Sequence, residues 1–472
     1  MFNHPRRGEV RGDCLAAPID AVDRDHHGID GAWRSTNPCL GRLRYRRRVS
    51  HPSQHRILLI AALVGIGLQP ISTATGNIGF GIAIAGAIPL LIVAPRQFAA
   101  CWQSLWIRWL AAWVVLSWVS LLWSSDPQFG VDQFRACRVL LWIPLLWPLR
   151  SQWPLLVGAV IGGAAVIQVI QALQVSPLGW LVSAKRAPGH GLTTPTQTGM
   201  WDAISLCFLL SIPLIGKWRR ALLILPLATL ATAGLIWTAA RAAVLGFIVQ
   251  LIAIGAVHAW CGTGRLGRAM AQGLVGAALL AVVFLMADST HLRAKVEKAA
   301  HETADALTGI GPVTSEYRLA MWSTALEGWQ QHALLGVGIG GIPNTITKPS
   351  TVVYERHHIS DVRMIHSTYL QVLAETGLVG AALFAAFVWC FLLDALTVIR
   401  RDPARIGALG ACIVWFVGAA FDGYQQSGGF LSIGAICMAL AAMPAGTDVD
   451  VHLPRFVRSL VGPTDREAVN PC

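Results

Sequence analysis

Long apolar runs alternate along this chain with short connections that are polar and often basic. The runs fall near 57–71, 78–94, 104–123, 138–149, 154–175, 200–216, 221–238, 242–259, 272–287, 377–399, 406–421 and 430–443. Most approach about 17 to 23 residues, the length at which a helix rising about 1.5 Å per residue crosses about 30 Å of hydrocarbon. The pattern therefore predicts an all-α polytopic membrane protein with about twelve transmembrane helices. Only one connection is long. Residues 288–366 carry Trp322, Trp329 and apolar positions at helical spacing, which predicts a folded, partly helical loop. The chain divides accordingly into a basic, disordered tail (1–56), a first transmembrane bundle (57–287), the large loop (288–366), a second bundle (367–445) and a closing tail (446–472).

Composition agrees. Hydrophobic residues make up 54% of the chain and charged ones 13%, against about 25% charged in soluble domains. The first apolar run begins only near Ile57, behind a long basic stretch, so no cleavable signal peptide is expected. The formal charge of +12 raises nucleic acid as a partner, but the cations sit in the tails and between spans. Arg96 with Arg108, Arg150, Lys217 with Arg219 and Arg220, Arg265 with Arg268, and Arg400 with Arg401 and Arg405 mark alternate connections, whereas 72–77 and 422–429 hold no Lys or Arg. By the positive-inside rule both tails are cytoplasmic and residues 288–366 lie outside. The ten cysteines form no CxxC pair and mostly act as small hydrophobes, for example Cys101, Cys207, Cys390, Cys412 and Cys437. Nothing in the pattern calls for a metal or another cofactor. The outside acids Asp126, Asp132, Asp361 and Asp422 are scattered.

Several outside cations break the charge rule. Arg241 sits between two apolar runs in TAARAAVLGF, where it either snorkels to headgroups or meets an anion. Arg318 and Trp322, four apart in RLAMW, share one helix face. The following GVGIGG matches a phosphate-loop pattern in letters only, since it follows a helix rather than a strand. His366 opens the helix HSTYLQVLAETG; its imidazole either fills an interfacial gap or accepts a proton from a hydroxyl near neutral pH. Glu375 falls on the far side of that helix, so it is not expected to orient His366. Lys185, Arg186 and His190 could meet a phosphate or sugar, or line a solvated loop.

The order of these features, from TAARAAVLGF through RLAMW and GVGIGG to HSTYLQVLAETG, resembles the O-antigen ligase family, which also includes O-antigen polymerases and protein O-oligosaccharyltransferases. The likeness covers about 57–445 and concentrates in 237–380. It implies a GT-C-like glycosyltransferase of the bacterial inner membrane that takes a glycan from undecaprenyl pyrophosphate on the periplasmic side. Arg241 and Arg318, with Arg186 as a further candidate, would hold the pyrophosphate, and His366 would activate the acceptor hydroxyl. The acceptor would be lipid A core for a ligase, and a growing polysaccharide or a protein for the other members. The family's common serine, arginine, glycine pattern is not kept here, where Ala242 and Ala243 follow Arg241. A lipid or sugar transporter is the reading from another class, but transporters place polar groups mid-span and carry internal repeats, neither of which this pattern shows.

Overall fold

Hydrocarbon offers no water to a bare backbone, so an apolar chain must satisfy its own N–H and C=O groups within helices. The structure, a computed structural model, describes residues 52–176, 191–212, 218–238, 240–260, 313–342, 365–424 and 427–444. Among the described residues the regular structure is helical throughout. The principal helices are α1 (Pro52–Leu68), α2 (Thr73–Val93), α3 (Leu105–Val119), α4 (Trp153–Val175), α5 (Pro195–Ser211), α6 (Trp218–Thr238), α7 (Arg241–Trp260), α8 (Val313–Gln331), α9 (Thr368–Arg401), α10 (Ile406–Ala419) and α11 (Gly428–Ala442). The two tails, the expected span at 272–287 and the loop stretches 288–312 and 343–364 lie outside the described residues.

The run at 138–149 is helical but not one regular α-helix: it passes through a 3-10 turn Arg135–Leu141, a short α-helix Trp142–Leu146 and a second 3-10 turn Trp147–Gln152. Pro144 and Pro148 lack an N–H, which removes helical hydrogen bonds along this stretch. Thr73–Val93, Leu105–Leu122, Pro127–Val175 and Thr368–Arg401 are long and apolar enough to cross a membrane, while Pro52–Leu68, Ile224–Thr238, Arg241–Val257, Pro403–Ala419 and Gly428–Ala442 are apolar but shorter.

Burial explains why short helices suffice. Every residue of α5 from Gln197 to Leu210 is buried, and so is α11 from Phe430 to its end. A helix apolar on all sides belongs inside a bundle, shielded from lipid by its neighbours. The outer helices pack closely where side chains are small. Gly65 of α1 lies against the Gly79 carbonyl of α2, and Gly163 of α4 lies against Gly67. An aromatic seam joins α3 to α9, with Trp106 edge-on to Phe391 at 5.6 Å and Trp113 edge-on to Phe384 at 5.4 Å. Arg405, 1% exposed, closes the opposite end from the site described below by donating to the carbonyls of Leu440, Met443 and Arg150.

Candidate functional site

The glycine run after α8 is a clamp. Gly336, Gly338 and Gly340 all have φ near +70 to +80°, at 68, 82 and 79°, a region that side chains with a Cβ rarely enter. The Val337 and Gly338 amides donate to the carbonyls of Ala374 and Glu375 on α9. Ile339 N–H donates to Ser120 Oγ, Ser125 Oγ donates to the Gly341 carbonyl, and Gly340 abuts the Gly130 amide. A slot this narrow has no room for side chains or for a nucleotide. Glu375 belongs to the clamp, its Oε1 accepting from Gly340 N–H at 3.3 Å and from Gln371 Nε2 at 3.1 Å. It does not reach His366 through any hydrogen bond among the described residues. Gly377, with φ of 63°, then breaks α9, and the freed amides of Leu378 and Val379 donate to Ala333 and Leu334.

Above this clamp stands His366, immediately before Ser367, the N-cap whose side chain accepts from Leu370 N–H. His366 is the only non-glycine residue among the described residues with positive φ, at 51°. The left-handed conformation costs a side-chain-bearing residue roughly 1–2 kcal/mol, so its surroundings must hold it there. They do so through the connection after α10. Asp422 Oδ1 lies 3.2 Å from His366 Nδ1 and also accepts from Gly423 N–H. The Asp422 carbonyl accepts from both the amide and the hydroxyl of Thr368, and that same hydroxyl accepts from Tyr424 N–H. An ionised carboxylate can only accept, so in this contact Nδ1 carries the hydrogen. The His366 side chain remains about a third exposed, at 33%. Tyr424 is fully buried and stacks on Phe430 at 4.2 Å. Burial, with Asp422 and Tyr369 adding to it, pushes its phenol well above the usual range.

The two arginines lie on different elements. Helix α8 docks through Ala325 and Trp322 onto Val337, Ile342, Ile365, Leu370 and Ala374, which places it against the residue preceding His366. Arg318 is exposed one turn before Trp322. Arg241, also exposed, is the first residue of α7. Helix α7 runs antiparallel to α10: Gly246 faces Val414, and Gly410 faces Gln250. Continuing that register takes Arg241 to the end of α10 that leads into Asp422. The start of α5 spans both sides, Gly199 meeting Ala240 and Met200 meeting Gly418. Arg186 lies outside the described residues. The end of its connection is held by Gln174, which donates to the Gly191 carbonyl and accepts from its amide.

Residues 226–385 match the family model described as O-antigen ligase. Over this segment the chain is similar to the O-antigen ligase family. The segment begins within α6 and ends within α9, and so contains Arg241, Arg318 and His366. A search of the curated proteins gives no match. Asp422 comes from beyond the matched ligase segment, on the α10–α11 connection. Sequence reading left it among the scattered acids. The available signal was its position as the lone charge in a cation-free connection at the end of an apolar span. Among the described residues no group of three or more His, Cys, Asp or Glu side chains is placed to hold a metal ion.

Proposed function

We propose that this membrane protein is a glycosyltransferase that moves a glycan from undecaprenyl pyrophosphate to a hydroxyl of lipid A core at the periplasmic face of the bacterial inner membrane, with both tails cytoplasmic. The observation that supports this is the strained His366, joined to Asp422 at 3.2 Å, with the helix bearing Arg318 packed beside the residue before it and the helix bearing Arg241 packed along α10, which leads to Asp422.

In this reading the acceptor oxygen attacks the anomeric carbon as its proton passes to His366 Nε2. The bond from that carbon to the phosphate oxygen breaks, undecaprenyl pyrophosphate leaves, and the configuration inverts. Guanidinium forks match pyrophosphate oxygens two at a time and stay charged at any working pH. Arg241 and Arg318 would thus hold the donor and stabilise the charge growing on the leaving group. Asp422 supports the imidazolium that forms and fixes its ring. No step in this scheme draws on a cofactor.

The test uses the full chain in lipid nanodiscs, given labelled lipid-linked glycan and lipopolysaccharide that carries only core. A glycosidic bond formed by the wild type and lost in His366→Ala is expected. Labelled glycan that crosses the bilayer unaltered would overturn the reading in favour of a transporter.

A further inference from the structure

A column of exposed side chains leads away from the clamp. Gly130 abuts Ile339 and Gly340 of the glycine turn, so the segment that follows it starts at the clamp's end of the bundle. The chain then runs through the 3-10 turn Arg135–Leu141, in which residues three apart eclipse one another. Arg135, Arg138 and Leu141 are exposed, while Ala136, Cys137 and Val139 between them are buried. The turn therefore lines up two guanidinium groups and one apolar side chain on a single face, which a regular α-helix would fan apart. Asp132 heads the column and meets Arg135 at 2.7 Å, but the two side chains are 57% and 68% exposed, and ion pairs so open to solvent are weak. Arg138 makes its one hydrogen bond among the described residues to a neutral group, Nη2 donating to Asn77 Oδ1 at 3.2 Å. Four of its five N–H groups are left for a ligand. Two cations against one acid leave this face positive. At its foot Leu141 is 51% exposed, and Trp118, 50% exposed, packs on Phe134 with ring centroids 4.8 Å apart. Exposed tryptophan beside apolar helix marks the headgroup level of a bilayer.

We infer that Arg135 and Arg138 bind a phosphate group of the acceptor glycolipid, whose acyl chains lie in the bilayer alongside Leu141. This rests on the transfer reading above and gives its acceptor a binding site. Guanidinium groups hold phosphate through charge-assisted hydrogen bonds. The apolar foot of the column fits a phosphate carried on a lipid better than one free in solution. Position favours the acceptor over the donor. Val139 lies 3.9 Å from where a Cβ on Gly428 would stand, so the column flanks the start of α11, whereas Arg241 heads α7, which packs along α10. Asp422, which holds His366, belongs to the connection between α10 and α11. The two sets of arginines thus approach that connection from its two flanking helices, an arrangement that brings two lipid-borne substrates to one imidazole.

The test measures transfer kinetics of the full chain in nanodiscs, with core-only lipopolysaccharide as acceptor, its phosphates present or chemically removed. The paired change Arg135→Gln with Arg138→Gln should raise KM for the phosphorylated acceptor by roughly ten-fold or more, the scale of losing a charge-assisted hydrogen bond, with kcat moving less than about two-fold. Asp132→Asn removes the partner that competes for Arg135 and should lower the same KM by roughly two-fold. Stripping the phosphates should raise the wild-type KM to the level of the paired variant and leave the substitutions without further effect. Binding of sugar-free undecaprenyl pyrophosphate should be the same in wild type and variant. An unchanged KM in the paired variant leaves the column to ordinary phospholipid headgroups and overturns the proposal. An equal rise with both acceptors overturns it too, as does a weakened hold on undecaprenyl pyrophosphate, which assigns the column to the donor. A wild type that transfers glycan to neither acceptor overturns the transfer reading and this site with it, whereas one that transfers with a KM indifferent to phosphate overturns this site alone.

Discussion

Asp422 and His366, 56 residues apart in the chain, are joined at 3.2 Å between carboxylate and imidazole. The same aspartate receives Thr368 through its main-chain carbonyl, so one residue fixes both the ring and the start of the helix beneath it. If His366 is the base, Asp422→Asn should lower the transfer rate by roughly 10- to 1,000-fold with the substrate KM little changed, and His366→Ala by roughly 100- to 10,000-fold. Single-turnover transfer rates in nanodiscs measure both. An Asp422→Asn rate equal to wild type would remove the carboxylate from the mechanism.

His366→Gly separates strain from chemistry. Glycine enters the left-handed region without steric cost, so this variant should match or exceed the thermal stability of His366→Ala, in which the strain persists, by roughly 1 kcal/mol. Both should be inactive. Thermal unfolding followed by tryptophan fluorescence compares them.

The clamp predicts a steep position dependence among glycines. Alanine at Gly340 or Gly377 adds a Cβ against main-chain atoms at positive φ, of Gly130 in one case and Leu334 in the other. Each should cost about 1–3 kcal/mol or more. Gly81 has open space around its missing Cβ, so Gly81→Ala should be neutral or stabilise α2 by roughly 0.5–1 kcal/mol. Melting temperatures of the three variants, read side by side, test this.

Lysine should not substitute for arginine at the proposed pyrophosphate site. Arg318→Lys keeps the charge and loses the two-pronged fork. It should weaken binding of undecaprenyl pyrophosphate by roughly ten-fold while leaving unfolding unchanged, because Arg318 is exposed. Titration of the sugar-free lipid measures it.

Periodicity made most of the helices legible, because a lipid-facing helix must be apolar over its whole length. It was coarsest at 138–149, where the apolar run alternates between 3-10 turns and a short α-helix around Pro144 and Pro148. His366 and Arg318 stood out as polar groups next to apolar ones. Asp422 did not, since nothing local ties it to a histidine 56 residues away and only the docking of α10 beside α9 joins them. The glycine run was visible in the sequence, but its purpose, threading between Gly130 and Glu375, depends on two segments remote in sequence.

Gly377 divides α9 into two parts with different masters. The lower part faces lipid, with Trp389 at 65% exposed, and will tilt as the bilayer thins or thickens. The upper part is stitched to the glycine turn and to Asp422. The height of the imidazole is therefore registered to protein rather than to the leaflet, and membranes of differing thickness should leave it at the same elevation.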